Sequence, residues 1–119
     1  MSVIINEKTN EIRMTRGDTL RVLVTMKRDN EDYTPVAGDE VRFALKRPKM
    51  TSGNKEYVDQ DPLIIKNIPI SDMILELEPE DTKPFPFGEY VYDIQITFAD
   101  GTVDTFITST PFVLTPEVD

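Results

Sequence analysis

Between Tyr90 and Phe98 every second residue is apolar or aromatic: Tyr90, Tyr92, Ile94, Ile96 and Phe98, with Glu89, Val91, Asp93, Gln95 and Thr97 around and between them. A period of two places one set on a buried face and the other on an outward face, the pattern of a half-buried β-strand. Ala99-Asp100-Gly101-Thr102 follows. Asp-Gly tolerates positive φ at both central positions of a type I′ turn, so a tight hairpin is predicted. The turn sets a register in which Ala99 pairs with Thr102, Phe98 with Val103, Ile96 with Thr105 and Ile94 with Ile107. Val103 and Ile107 then join the apolar face of the first strand. A slip of one residue would separate them.

The same period recurs elsewhere. Leu20, Val22, Val24 and Met26 share one face of Thr19 to Arg28; Val41, Phe43 and Leu45 alternate with Arg42, Ala44 and Lys46; Met73, Leu75 and Leu77 alternate with Ile74, Glu76 and Glu78. Pro62 to Asn67 holds the run Leu63-Ile64-Ile65, and Phe112 and Leu114 alternate after a break at Pro111. Val3 to Ile5 and Ile12 to Met14 are shorter segments of the same kind. Turn-forming residues separate these runs at Arg16-Gly17-Asp18, Asn30 to Gly38, Ser52-Gly53-Asn54, Ile68-Pro69 and Pro79 to Gly88. No window of a dozen residues has helical periodicity. The pattern predicts one all-β domain over residues 1–119, an antiparallel β-sandwich of about seven strands.

The approach to Tyr90 sharpens the topology. In immunoglobulin-like sandwiches an apolar strand leads into a tight corner with an Asp, then Gly-x-Tyr, whose hydroxyl bonds back to the corner. Here Leu75, Leu77, Pro79, Asp81 and Thr82 precede Gly88-x-Tyr90-x-Tyr92. The order matches, with a longer corner holding two prolines, and no cysteine or tryptophan marks the core. An immunoglobulin-like topology without the antibody core is predicted.

Composition narrows the chemistry. The 119 residues carry 22 acidic and 13 basic side chains, a formal charge of −9. Nucleic-acid backbones are recognised by clustered Lys and Arg, so this balance argues against them. The short basic run Lys46-Arg47-Pro48-Lys49 reads as a solvated strand end. With no cysteine and no histidine, disulfides, thiolate chemistry and imidazole general bases are unavailable. No signal sequence is recognisable at the N-terminus, and no apolar run reaches the roughly 20 residues of a membrane helix, so no membrane insertion is expected.

Each polar constellation has an ordinary reading. Asp93 and Asp104 fall on the same face of the predicted hairpin, but roughly 13 Å apart at the usual rise, too far for a glycosidase-like pair. Asp29-Asn30-Glu31-Asp32 and Asp59-Gln60-Asp61 lack the ligand spacing of an EF-hand loop. Arg16-Gly17-Asp18 precedes a strand and reads as a turn. No catalytic, metal or cofactor site is expected. The residues left over are apolar ones on outward faces: Val91, Phe106, Ala44 and Leu23. The first three lie on adjacent strands of an immunoglobulin-like order, and the four together form the candidate partner-contact set.

Taken in order, GDTLRVLVTM (17–26), GDEVRFALK (38–46), LELEPEDTKPFPFGEYVYDIQI (75–96), DGTVDTFI (100–107) and the final FVLTPEVD resemble small phage and prophage proteins of Gram-positive bacteria, and are similar to the amino-terminal domain of siphophage baseplate upper proteins. The resemblance spans nearly the whole chain. It implies an immunoglobulin-like, non-catalytic structural module of a tail or baseplate, with no cofactor. It also implies a virion location after assembly in the bacterial cytoplasm, and contacts with other phage structural proteins or with a second copy of itself. Such baseplate proteins continue into assembly-forming segments, so a chain ending at Asp119 is either a short self-standing member or one domain of a longer protein. The alternative reading is a module that binds host cell-wall carbohydrate through Tyr33, Tyr57 or Phe87, the aromatics expected in loops.

Overall fold

A computed structural model of the chain describes residues 3–5, 9–28, 31–47, 49–51, 54–56 and 62–116, with backbone alone at 3–5, 49–51, 54–56 and 108–109. In chain order the strands are β1 (Val3–Ile5), β2 (Ile12–Thr15), β3 (Leu20–Leu23), β4 (Met26–Arg28), β5 (Glu31–Tyr33), β6 (Glu40–Lys46), β7 (Lys49–Thr51), β8 (Asn54–Glu56), β9 (Ile64–Ile68), β10 (Ile74–Leu77), β11 (Gly88–Thr97) and β12 (Val103–Thr115). One short helix, α1 (Pro79–Thr82), joins β10 to β11. The chain is therefore all-β, as its alternation predicts. The strand count exceeds about seven because the run from Thr19 to Arg28 divides into β3 and β4, and because short hairpin strands add to the set.

Six strands form one sheet in the order β1-β2-β12-β11-β6-β9, while β10 pairs with β3 in a second, smaller sheet. β4–β5 and β7–β8 are separate antiparallel hairpins. The pairs are antiparallel except one: β2 runs parallel to β12, with Phe112 level with Ile12 and Leu114 level with Met14. Alternation alone carries no strand direction, so the purely antiparallel expectation needed this correction. The predicted inward faces meet in one core. Leu20, Leu75 and Leu77 from the small sheet pack with Met14, Phe43, Leu45, Ile94, Ile96, Phe112 and Leu114 from the large one, each at 2% exposure or less. Phe43, Tyr92 and Phe112 form an aromatic triangle, with ring centroids 5.5 to 6.2 Å apart.

The tip of the β11–β12 hairpin differs from the expected two-residue turn. Gly101 N–H donates to Phe98 O and Phe98 N–H to Thr102 O, both at 2.8 Å, so Phe98 pairs with Thr102 across a three-residue loop. Only Gly101 has positive φ there, at 92°. The side chains explain the change. Asp39 Oδ1 accepts the Ala99 N–H at 3.1 Å, and Asp100 Oδ1 accepts the Thr102 N–H at 2.9 Å. Those are the two amides that the tight turn would have paired with each other's carbonyls.

The register shifts with it. Val103 lies opposite Thr97 and is 54% exposed, outside the core where the tight turn would have put it. Gln95 pairs with Thr105 and Ile94 with Ile107, which leaves Phe106 as an extra residue between them. This β-bulge restores the Ile94–Ile107 pairing read from the sequence. A second irregularity follows, where Tyr92 pairs with Thr110. Pro111 does not end β12. It continues directly after the second bulge, opposite Val91, one of the places where a strand tolerates proline.

Candidate functional site

The corner before β11 is built as its sequence suggests. Pro79 opens α1, and the Asp81 carboxylate accepts the Glu78 N–H at 2.7 Å and pairs with Lys66 Nζ at 3.0 Å. Thr82 is fully buried, and its Oγ1 accepts the Gly17 N–H at 2.8 Å. Tyr90 donates its hydroxyl to Pro86 O at 2.6 Å, the corner bond expected of the Gly-x-Tyr pattern. The Arg16-Gly17-Asp18 segment is thus a docked turn. Gly17 has φ 87°, Arg16 Nη1 reaches Phe85 O at 3.3 Å, and the guanidinium stacks 4.4 Å from the Phe87 ring centroid.

A second polar centre joins the loop before β6 to the hairpin tip. Asp39 is buried at 6% exposure. It accepts the Tyr33 hydroxyl at 2.6 Å and the Val36 N–H at 2.9 Å on Oδ2, and the Ala99 N–H on Oδ1. The Tyr33 hydroxyl, then the Val36 amide, hold the Asp39 carboxyl below its ordinary range, and the same bond raises Tyr33. Arg28 stacks over Phe98 at 4.1 Å, and Phe98 meets the Tyr33 ring edge-on at 5.7 Å. Gly38 approaches so closely that a Cβ there would sit 2.8 Å from Ala99 Cβ. Each member of this centre has a folding role.

The remaining polar candidates resolve in the same way. Asp93 pairs with Lys46 Nζ at 3.1 Å, while Asp104 is exposed opposite Ile96. Glu31 and Asp32 belong to β5; Asp29, Asn30, Asp59, Gln60, Asp61 and Tyr57 lie outside the described residues. Among the described residues no group of three or more acidic side chains could hold a metal ion, and no helix is long and apolar enough to cross a membrane. Of the aromatics expected in loops, Tyr33 instead ends β5, paired with Met26, and is committed to Asp39, while Phe87 is 47% exposed beneath Arg16.

The four contact candidates separate. β12, β11 and β6 are neighbours, so Val91, Ala44 and Phe106 do lie on adjacent strands. Val91 and Ala44 stand on the face away from the main core, yet they are only 3% and 6% exposed. Phe106, at the bulge, is half-buried and packs against the core, because the extra residue turns it from its regular outward position. Leu23 is 64% exposed, on β3 of the small sheet.

Sequence reasoning passed over what lies beside Leu23. An open cleft of about 440 Å³ runs between β3 and the large sheet, lined by Ile12, Val22, Val24, Leu75, Ile94 and Ile107 among others. Tyr92 forms part of its wall and donates its hydroxyl to Asn10 O at 2.5 Å. Burial pushes the Tyr92 phenol up to about 12. Among the described residues β3 has a strand on one side only, and the cleft lies beside it. A missing neighbour leaves no mark on the sequence of the strand that lacks it.

No protein-family model matches the chain, and neither any curated protein nor any solved structure does.

Proposed function

We propose that this chain is a non-catalytic assembly module of a phage or prophage particle, in the tail or baseplate, built as an immunoglobulin-like sandwich. The topology supports the finer fold reading. The large sheet places β2 parallel to β12 beside β11 and β6, the small sheet faces it, and the Tyr90 hydroxyl closes the corner between them. The observation that carries the functional reading is the contrast between interior and edge. Thr82 and Asp39 hold loops together and Asp93 pairs with Lys46 between two strands, while among the described residues β3 leaves one edge uncovered beside an apolar cleft. A rigid sandwich with an open edge is suited to docking against another protein. The resemblance in motif order to phage and prophage proteins is what suggests the particle.

The test is to follow the chain through a density gradient of particles induced from the source strain, using an antibody and then gold labelling. Banding with particles and labelling at one end of the tail is the expected result. A chain that stays soluble while particles form normally overturns the virion reading, and binding to purified wall polymer then becomes the measurement to make.

A further inference from the structure

We infer that β3 is a self-pairing edge: two copies of this chain join antiparallel along β3, with Leu23 of one against Leu23 of the other. The inference takes the assembly reading as its starting point and names the partner of that edge.

The backbone defines which groups are free. Val24 N–H donates to Met73 O at 2.8 Å, next to the Leu23–Ile74 pair of the β3–β10 ladder. Backbone groups alternate sides along an antiparallel strand. Leu20, Val22 and Val24 therefore turn their N–H and C=O toward β10, and Arg21, Leu23 and Thr25 turn theirs to the uncovered side. Among the described residues no strand pairs with that side. The side chains alternate as well: Leu20 and Val24 are buried, whereas Arg21, Leu23 and Thr25 are exposed.

A symmetric antiparallel pair centred on Leu23 matches this strip to itself. Leu23 meets its own mate, covering the most exposed large apolar side chain of the described residues. Arg21 stands opposite Thr25 of the second copy, so no like charges face each other. Two neighbouring registers oppose like charges. A centre on Arg21 opposes two guanidinium groups, and a centre on Val24 sets Arg21 against Lys27. The strip is also close to neutral, with Arg21, Lys27 and Arg28 against Asp18, Glu31, Asp32 and Glu76, although the chain carries −9. Val22 and Val24 of each copy extend the apolar lining of the other's cleft.

An edge this short makes a small interface of the weak, transient class. The experiment is sedimentation velocity on the full chain up to about 500 μM, with Leu23→Lys as the edge variant and Ile65→Lys as the control. Ile65 is 51% exposed on β9, away from β3, and Leu23 is exposed enough for Lys to leave the fold intact, which circular dichroism verifies. The expected result is a concentration-dependent dimer that Leu23→Lys weakens at least about tenfold, through opposed like charges, and that Ile65→Lys leaves unchanged.

A second readout uses the absence of cysteine in the chain. Directly opposite Cα atoms in a hydrogen-bonded pair are about 5.5 Å apart, within disulfide range. Leu23→Cys should therefore oxidise to a covalent dimer much faster than Ile65→Cys. A chain that stays monomeric, with Leu23→Cys no faster than the control, overturns the inference. So does a dimer indifferent to Leu23→Lys, or a monomer whose edge takes only an added foreign strand peptide. These measurements need no particles, so failure here leaves the virion reading standing, and failure of particle labelling leaves the self-pairing result standing.

Discussion

Replacing Tyr92 by Phe removes one oxygen from the middle of the fold and leaves the ring in place. The ring packs against Phe43 at 5.5 Å and Phe112 at 6.1 Å, contacts that phenylalanine can keep. What is lost is the bond to Asn10 O, which ties β11 to a residue 82 positions earlier. A neutral hydrogen bond of this kind contributes about 0.5–1.5 kcal/mol net, so Tyr92→Phe should cost about 1 kcal/mol near pH 7. At high pH the sign of the difference changes. Tyr92 has a folded-state pKa of about 12, raised by burial above the ordinary value of 10.0. A raised pKa means that its stabilising contribution is complete below pH 10 and disappears as pH climbs toward 12, because the unfolded chain releases the proton first. The loss approaches about 1.4 kcal/mol per pH unit for one group. Tyr92 borders the open cleft, so solvent screening reduces that slope. Tyr92→Phe has no such proton to lose. Its disadvantage should shrink above pH 10 and vanish between about pH 11 and 12. Tyr33 and Tyr90 also titrate high, but they are common to both proteins and cancel in the difference. Urea unfolding followed by circular dichroism from pH 7 to 11.5 measures it. A difference that stays constant across that range would refute the assignment of the shift to Tyr92. A cost above about 3 kcal/mol at pH 7 would show that more than one hydrogen bond had been removed.

Three further outcomes follow from the two polar centres. Gly38→Ala combines a φ of 97° with a 2.8 Å approach to Ala99 Cβ, so its thermal midpoint should fall by the equivalent of about 1–3 kcal/mol. Tyr90→Phe removes the corner bond to Pro86 O and should cost about 0.5–1.5 kcal/mol in urea unfolding, with little change in the far-ultraviolet spectrum. Asp39 has a lowered carboxyl pKa, so its contribution is complete above its unfolded value and is lost as pH falls through the folded one. Acid titration of stability below pH 3.8 should therefore be steeper in the native chain than in Asp39→Asn, and equal slopes would remove Asp39 from the account.

Much of the architecture was open to local reading. The apolar face from Tyr90 to Phe98 is buried as its period demands, and so are Val41, Phe43 and Leu45 and the set Met73, Leu75 and Leu77. The Tyr90 corner was legible too, because its bond spans only four residues. Side-chain period and turn chemistry act within a few residues, and a single sequence displays them directly.

Other features depend on groups far apart in the chain. Asp39 lies 60 residues from Ala99, yet its carboxylate takes the amide that the Asp100-Gly101 turn needed, and so moves the register at the hairpin tip. Phe106 becomes a bulge because β12 must still bring Ile107 to Ile94. Val91 and Ala44 alternate outward and are buried nonetheless, since exposure depends on what else comes to lie over a face. The parallel contact of β2 with β12, and the edge of β3 left uncovered among the described residues, follow from which strands the assembled sheets place side by side. The sequence by itself therefore determined most of the strands, the inward faces of β6, β10 and β11, and the corner and hairpin turns on either side of β11. Register, strand direction and the free edge were decided only by the tertiary structure, because each depends on competition among backbone groups that meet only when distant segments pack together.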